Sequence, residues 1–385
     1  MTVNYPNVFV QRKAALCLLL LVACNAFAQE AESPDDRSPL FTTTPLDGFF
    51  DFKEDLLERT GFTWMLKYSV MGVQRTDDTH DKSYTGQLDV ILRQEAFDSR
   101  GVFLAYYMDV SQLSGISTGA FGNRNGNITP ITDSDQVSLL RQAWYQHKFL
   151  DEKLDVTLGK TEPLLSSVEN RFAFDDRRNF HVSPMSTAAA KDRIASSYGT
   201  MIGFHPTPWF SLNVSVNELD ESVAGSQSPE SGQFYSIVRF KFLANSERWG
   251  EGNYRISLVN SERQGDFKES NGIIISIDQD ISENWGAFLK YDDTEFQTAS
   301  SELNQSSAVG IYNSSPFGRS QDDFGIGLFR TKSDQGGSFK ENGGEMFYRL
   351  SIAEWVWTSM TVQYFDPAKA SGSFINVGAR IMLEF

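Results

Sequence analysis

The final eleven residues, Ile375-Asn376-Val377-Gly378-Ala379-Arg380-Ile381-Met382-Leu383-Glu384-Phe385, carry an apolar side chain at every odd position and mostly polar ones between. Successive strand side chains point to opposite faces, so this stretch has one face for lipid and one for water. The sequence ends in an aromatic residue on that ladder, where soluble domains usually finish in a polar tail. Such a segment predicts the closing strand of an outer-membrane barrel, the strand through which barrel-assembly machinery would engage the chain.

The same two-residue rhythm recurs upstream. Segments near 62–74, 84–96, 101–113, 136–149, 154–160, 197–206, 208–218, 232–243, 250–260, 272–279, 284–293, 306–313, 322–332, 344–353, 356–365 and 374–385 alternate over the length that a tilted membrane strand needs. The phase is ambiguous in 136–149 and 284–293. In Phe210-Ser211-Leu212-Asn213-Val214-Ser215-Val216-Asn217 it is clean. Sixteen strands, an even count, return both chain ends to one side and enclose an aqueous channel in place of a packed interior.

Two independent features support the count. Barrels have short turns at one end and long loops at the other. Here 97–100, 150–153, Pro206-Thr207, 280–283 and 353–355 are short, whereas 114–135, 161–196 and 219–231 fall on the opposite parity. Five of the seven tryptophans, Trp64, Trp209, Trp249, Trp285 and Trp355, begin strands that run from the short-turn side, as a girdle at one membrane interface would.

The first 28 residues predict export. Arg12 and Lys13 precede the apolar run 14–23, and Ala26-Phe27-Ala28 supplies small residues for cleavage before Gln29. Leu21-Val22-Ala23-Cys24 also fits a lipobox that would acylate Cys24, and both readings deliver the chain to the cell envelope. Cys17 and Cys24 are the only cysteines, so cleavage after Ala28 leaves no thiol for a disulfide or a metal. Gln29 to Pro45 reads as a polar linker, and Asp47 to Arg59 as a short helix with Phe50, Leu56 and Leu57 on one side.

Mean hydropathy is negative, which a barrel reconciles with a membrane because half of each strand and the loops face water. The net charge is minus 16; removal of the leader, with Arg12 and Lys13 and no acid, makes it minus 18 and disfavours nucleic acid as a partner. His80, His147, His181 and His205 are scattered without zinc-ligand spacing, and neither a Gly-x-Ser-x-Gly elbow nor a phosphate-cradling loop is present. No catalytic, metal or cofactor motif emerges.

Four stretches resemble the carbohydrate-selective porins of the OprB type: 46–62; Gln142-Ala143-Trp144-Tyr145-Gln146 leading to Val156-Thr157-Leu158-Gly159-Lys160; Phe317-Gly318-Arg319 with Asp322, Asp323, Gly325 and Gly327; and Gly344-Glu345 with Tyr348, 362–367 and the terminal strand. The family's Gly-Asp-Trp-Gly-Gly-type opening is reduced to Leu46-Asp47-Gly48-Phe49-Phe50, and the mature chain reads as shorter than the family's usual length. The resemblance implies a transmembrane antiparallel β-barrel in a Gram-negative outer membrane, passing small sugars or other polar solutes. It also implies that the short helix is a plug or latch, and it leaves open a monomer or homo-oligomer.

Strand phase gives pore-lining candidates. If Phe234, Val238, Phe240 and Phe242 face lipid, Arg239 and Lys241 turn inward; likewise Arg255 on its strand, Glu345 and Arg349 on theirs, and Asp89, Arg93 and Glu95 near the front. Interspersed guanidinium and carboxylate groups can replace water around a sugar hydroxyl, whereas a ring of one sign selects ions. The longest connection, 161–196, carries Arg171, Asp175, Asp176, Arg177 and Arg178 among Phe172, Phe174 and Phe180. A long loop of this kind is expected either to fold inward as a constriction or to cover the mouth. A general or ion-preferring porin, and a structural envelope barrel or adhesin, remain alternative readings.

Overall fold

The computed structural model describes residues 46–77, 79–115, 136–174, 178–186, 196–218, 234–261, 270–294, 305–333, 339–367 and 372–385. The expected leader, the linker to Pro45, and Asp175, Asp176 and Arg177 lie outside the described residues.

Sixteen strands follow one another in chain order around one closed antiparallel sheet. They are β1 (Phe62–Arg75), β2 (Lys82–Ala96), β3 (Gly101–Gly115), β4 (Gln136–Phe149), β5 (Leu154–Thr161), β6 (Ser197–Thr207), β7 (Phe210–Glu218), β8 (Phe234–Ser246), β9 (Gly250–Ser261), β10 (Ser270–Asp280), β11 (Trp285–Thr294), β12 (Gln305–Asn313), β13 (Asp323–Ser333), β14 (Phe339–Ala353), β15 (Val356–Pro367) and β16 (Phe374–Glu384). The seam sets Tyr68 opposite Leu383 and Val70 opposite Ile381. It continues to Phe385, whose N–H donates to the Leu66 carbonyl at 2.8 Å while the Leu66 N–H donates back at 2.9 Å. Every strand thus has two neighbours, which a medium without hydrogen-bonding partners demands.

Burial alternates as the sequence rhythm predicts. On β16, Ile375, Val377 and Ile381 are exposed outward, while Asn376, Arg380 and Met382 are buried inward. Leu258 on β9, Val309 on β12 and Leu328 on β13 belong to the same apolar exterior. No described helix is long and apolar enough to cross a membrane.

The two strands of ambiguous phase have physical explanations. In β4 a bulge at Arg141 flips the alternation: Leu139 pairs with inward Met108, Leu140 with outward Tyr107, and Gln142 then pairs with inward Tyr106. In β11 the inward face carries Phe288 beside Lys290 and Asp292, all buried, so apolarity no longer marks the outside.

The short connections are 97–100, 150–153, 208–209, 247–249, 281–284 and 354–355, all at one end. The expected turn at Pro206-Thr207 is corrected. Both residues belong to β6, where a proline without an N–H interrupts the register between Phe204 and Thr207, and the turn follows at 208–209. Parity also has an exception: 314–322 is longer and contains a 3-10 turn, Pro316–Gly318, in which Phe317 and Gly318 have positive φ. Trp209, Trp249 and Trp285 are exposed at this short-turn end, and Trp355 stacks on Phe385 at 5.5 Å. The remaining two tryptophans, Trp144 and Trp357, fall on the inward phase.

Helix α1 (Asp47–Thr60) stops at Gly61, whose left-handed φ of 69° closes the last turn through an N–H to the Leu57 carbonyl. Phe49 and Phe52 lie 6.1 and 6.4 Å from the outward Trp64 ring, and no residue of the helix is buried. The helix thus lies against the start of β1.

An outward residue near mid-strand tests this assignment of faces. Val309→Arg is expected to cost about 2–4 kcal/mol in lipid, read as a shift of the denaturant unfolding midpoint in vesicles, whereas an unchanged midpoint would contradict it.

Candidate functional site

The connection between β5 and β6 enters the barrel. It opens with α2 (Pro163–Val168), started by a proline whose missing N–H costs nothing in a first turn. Leu164 and Val168 of α2 pack on Tyr235 and Ile237 of β8, Val259 of β9 and Ile274 of β10. Further on, Phe180, Val182 and Met185 are fully buried, the last within α3 (Ser183–Ser186), among Phe288, Ala308, Phe329, Phe347 and Phe365 of the inner wall. Phe172 stacks on Tyr312 with centroids 5.2 Å apart, and Phe180 meets Phe347 edge-on at 4.9 Å.

Glycines on the wall make the close approach feasible. A Cβ on Gly286 would sit 2.2 Å from the Phe172 ring, and one on Gly327 would sit 2.7 Å from the Met185 sulfur. Gly325 and Gly327 belong to one of the stretches that carry the porin resemblance, and their small size serves the docked loop.

Polar anchors fix the loop's depth. Asn170 donates to the Ser276 hydroxyl at 3.2 Å and the Ile277 carbonyl at 3.0 Å. Arg171 binds Asp278 at 2.5 Å and Asp280 at 3.0 Å, close to the short-turn end of β10. Arg178 reaches Glu384 at 2.6 Å, where Lys67 also pairs at 3.3 Å, and lies 5.3 Å from the Trp357 ring. Lys290 donates to the carbonyls of Ala173 and Met185, both at 2.9 Å, joining two turns of the loop to β11. Glu345 accepts the backbone N–H groups of His181 and Val182 at 2.9 and 2.8 Å and the Thr361 hydroxyl at 2.8 Å. Burial, with the Arg380 guanidinium nearby, holds the His181 imidazole well below its ordinary range.

The described part of the loop therefore lines the wall from β8 round to β16 and narrows the lumen toward β1–β7. On that opposite wall, inward side chains include Arg93, paired with Glu95 at 2.8 Å, and Asp155, bonded to His205 at 2.6 Å and Gln146 at 3.0 Å. At the loop's entrance Arg141 and Gln142, both beside the β4 bulge, hold Glu162.

The sequence candidates divide accordingly. Arg93, Glu95, Arg239 and Lys241 face inward and are partly buried. Asp89 faces inward but is buried, accepting from Tyr106 Oη at 2.6 Å and Gln87 at 3.0 Å. Arg255 is 3% exposed between Asp278 at 3.1 Å and Glu169 at 3.3 Å. Glu345 is committed to the loop, and Arg349 pairs with Asp323. Arg171 and Arg178 anchor the loop to the wall. Pairing of this kind was invisible in the sequence, as were the anchors Asn170, Lys290, Asp278 and Glu384. One signal was legible: Ile273-Ile274-Ile275 and Met346-Phe347-Tyr348 are apolar on both faces, as strands covered on both sides are.

Removing the Glu345 anchor is expected to loosen the loop. Glu345→Gln leaves buried N–H donors short of an acceptor and should cost roughly 2 kcal/mol. Single-channel conductance should rise and tryptic cleavage within 162–196 accelerate; unchanged values in both would contradict the anchoring role.

No family model matches the chain, and no curated protein is significantly similar to it. Solved structures do match. The high-pH structure of Pseudomonas putida OprB superposes with a TM-score of 0.73 at 14% identity, covering 91% of this chain and 100% of that one. The low-pH structure gives 0.60 at 14% identity, over 92% and 100%. A BenF-like porin from Pseudomonas fluorescens Pf-5 gives 0.52 at 10% identity, over 84% and 98%. At such identity the likeness is one of fold.

Proposed function

We propose that this chain is an outer-membrane porin of a Gram-negative bacterium through which small polar solutes, sugars foremost, diffuse passively. The observation that carries this reading is a closed sixteen-strand barrel, apolar outside, whose lumen is narrowed by a loop pinned to its inner wall. A loop folded in and held by five polar anchors serves a conduit; a barrel that only displayed loops would gain nothing from it. The preference for sugars rests on the sequence resemblance to carbohydrate-selective porins, alongside the fold likeness to OprB.

In this reading the short-turn end faces the periplasm and the belt of outward aliphatics meets lipid. The leader 1–28 provides export, and β16 engages the assembly machinery. A solute passes between the docked loop and the wall it leaves open, β1–β7 together with the short-turn half of β8. There Arg93, Glu95, Gln146, Asp155 and His205 offer donors and acceptors of both kinds. Each exchange of water for a wall contact is worth only about 0.5–1.5 kcal/mol net, which permits entry without trapping.

Reconstituted into liposomes, the chain is expected to support swelling with glucose and a disaccharide, faster for the smaller solute. Swelling no greater than that of protein-free vesicles would overturn the proposal.

A further inference from the structure

We infer that the inner wall at β8 and β9 holds a recognition site for carboxylate-bearing sugars, with Arg239 and Lys241 as the residues that bind the acid group. This deepens the porin reading and rests on it.

The inference starts from a contrast among inward cations. Lys67 pairs with Glu384, Arg93 with Glu95, Arg171 with Asp278 and Arg349 with Asp323, and Lys290 is satisfied by two carbonyls. Among the described residues, Arg239 and Lys241 make neither an ion pair nor a hydrogen bond, and the Arg239 Nε is buried without an acceptor. They occupy alternate positions of one strand, about 6.8 Å apart along it. Their ladder partners are Asn213 and Ser211 on β7 and Ser257 and Arg255 on β9, so no acid stands opposite them on the ladder; Glu169, Asp155 and Asp278 act on them only from a distance, without pairing.

Lys241 stands directly opposite Arg255. Like charges so placed are destabilising, and Arg255 is already paired with Asp278 and Glu169. Three adjacent cations, two of them unpaired among the described residues, are thus retained on one stretch of wall. Such a cluster creates a local positive potential that attracts an anion from solution.

Chemistry narrows the ligand. A guanidinium offers two parallel N–H donors that match a carboxylate, and an ammonium a strong point donor beside it. Asn213, Ser211 and Ser257 flank the pair with the amide and hydroxyl groups that suit sugar hydroxyls. Glu169, bound to Arg255 and half exposed, borders the cluster with a negative charge. That border favours a monoanion over a phosphate dianion through simple repulsion.

The mature chain's strongly negative net charge alone would favour cations in the channel, so charge preference discriminates. The test uses the full chain in proteoliposomes, with efflux of D-gluconate and of glucose measured side by side, and reversal potentials in a potassium chloride gradient across planar bilayers. The wild type is expected to be anion-preferring and to release gluconate faster than glucose. In the Arg239→Gln, Lys241→Gln double variant, gluconate efflux should fall roughly tenfold, about 1.4 kcal/mol, with glucose efflux retained. The charge-conserving Arg239→Lys, Lys241→Arg variant should keep the preference. Cation preference in the wild type, or gluconate efflux untouched by the double variant, would overturn the inference. Should the double variant not insert, the wild-type reversal potential decides by its sign. A wild type that passes neither solute defeats the porin reading itself.

Discussion

A backbone N–H or C=O in hydrocarbon has no water to turn to, and each one left unpaired costs several kcal/mol. The seam between β1 and β16 is where this constraint is met, since it removes the last two sheet edges and carries pairing to Phe385. Sequential strand order, the antiparallel register and the meeting of the start of β1 with the end of β16 all follow from satisfying it. The alternation of side chains follows as well, because a closed sheet has one face for lipid and one for the lumen.

The lumen face is not uniform. From β8 to β16 it carries Ile237, Val259, Ile274, Phe288, Phe329, Phe347 and Phe365, which would be costly if left in water. Burying such side chains against the β5–β6 loop contributes on the order of 1.5–3 kcal/mol each, opposed by the entropy of ordering the loop. Apolar packing thus holds the loop inward, and Asn170, Arg171, Arg178, Lys290 and Glu345 set its depth. The opposite wall keeps its polar character and remains available to solutes.

The strands were legible in the sequence because their signal is local. Alternation located all sixteen to within a few residues, and connection lengths gave their direction. It failed where a local rule was overruled: at Arg141, where a bulge inverts the phase, and at Pro206, which remains within β6. The inward orientation of Glu345 and Arg255 was legible too, but their roles were not. A carboxylate reads the same whether it meets a solute or two backbone N–H groups from a loop more than 150 residues upstream. Non-local pairing separates a wall-anchoring charge from a free one, and only the folded chain displays it.

The two faces of β2, on the wall the loop leaves open, expose the central claim to direct measurement. Single cysteines placed from 87 to 93 in a chain whose only native cysteines are Cys17 and Cys24 can be titrated in vesicles with a water-soluble thiol reagent and a lipid-phase one. Positions 91 and 93 are predicted to react with the aqueous reagent and positions 88, 90 and 92 with the lipid-phase one. Reaction of both sets with the aqueous reagent alone, or no alternation at all, would contradict a closed cylinder with hydrocarbon outside and water within.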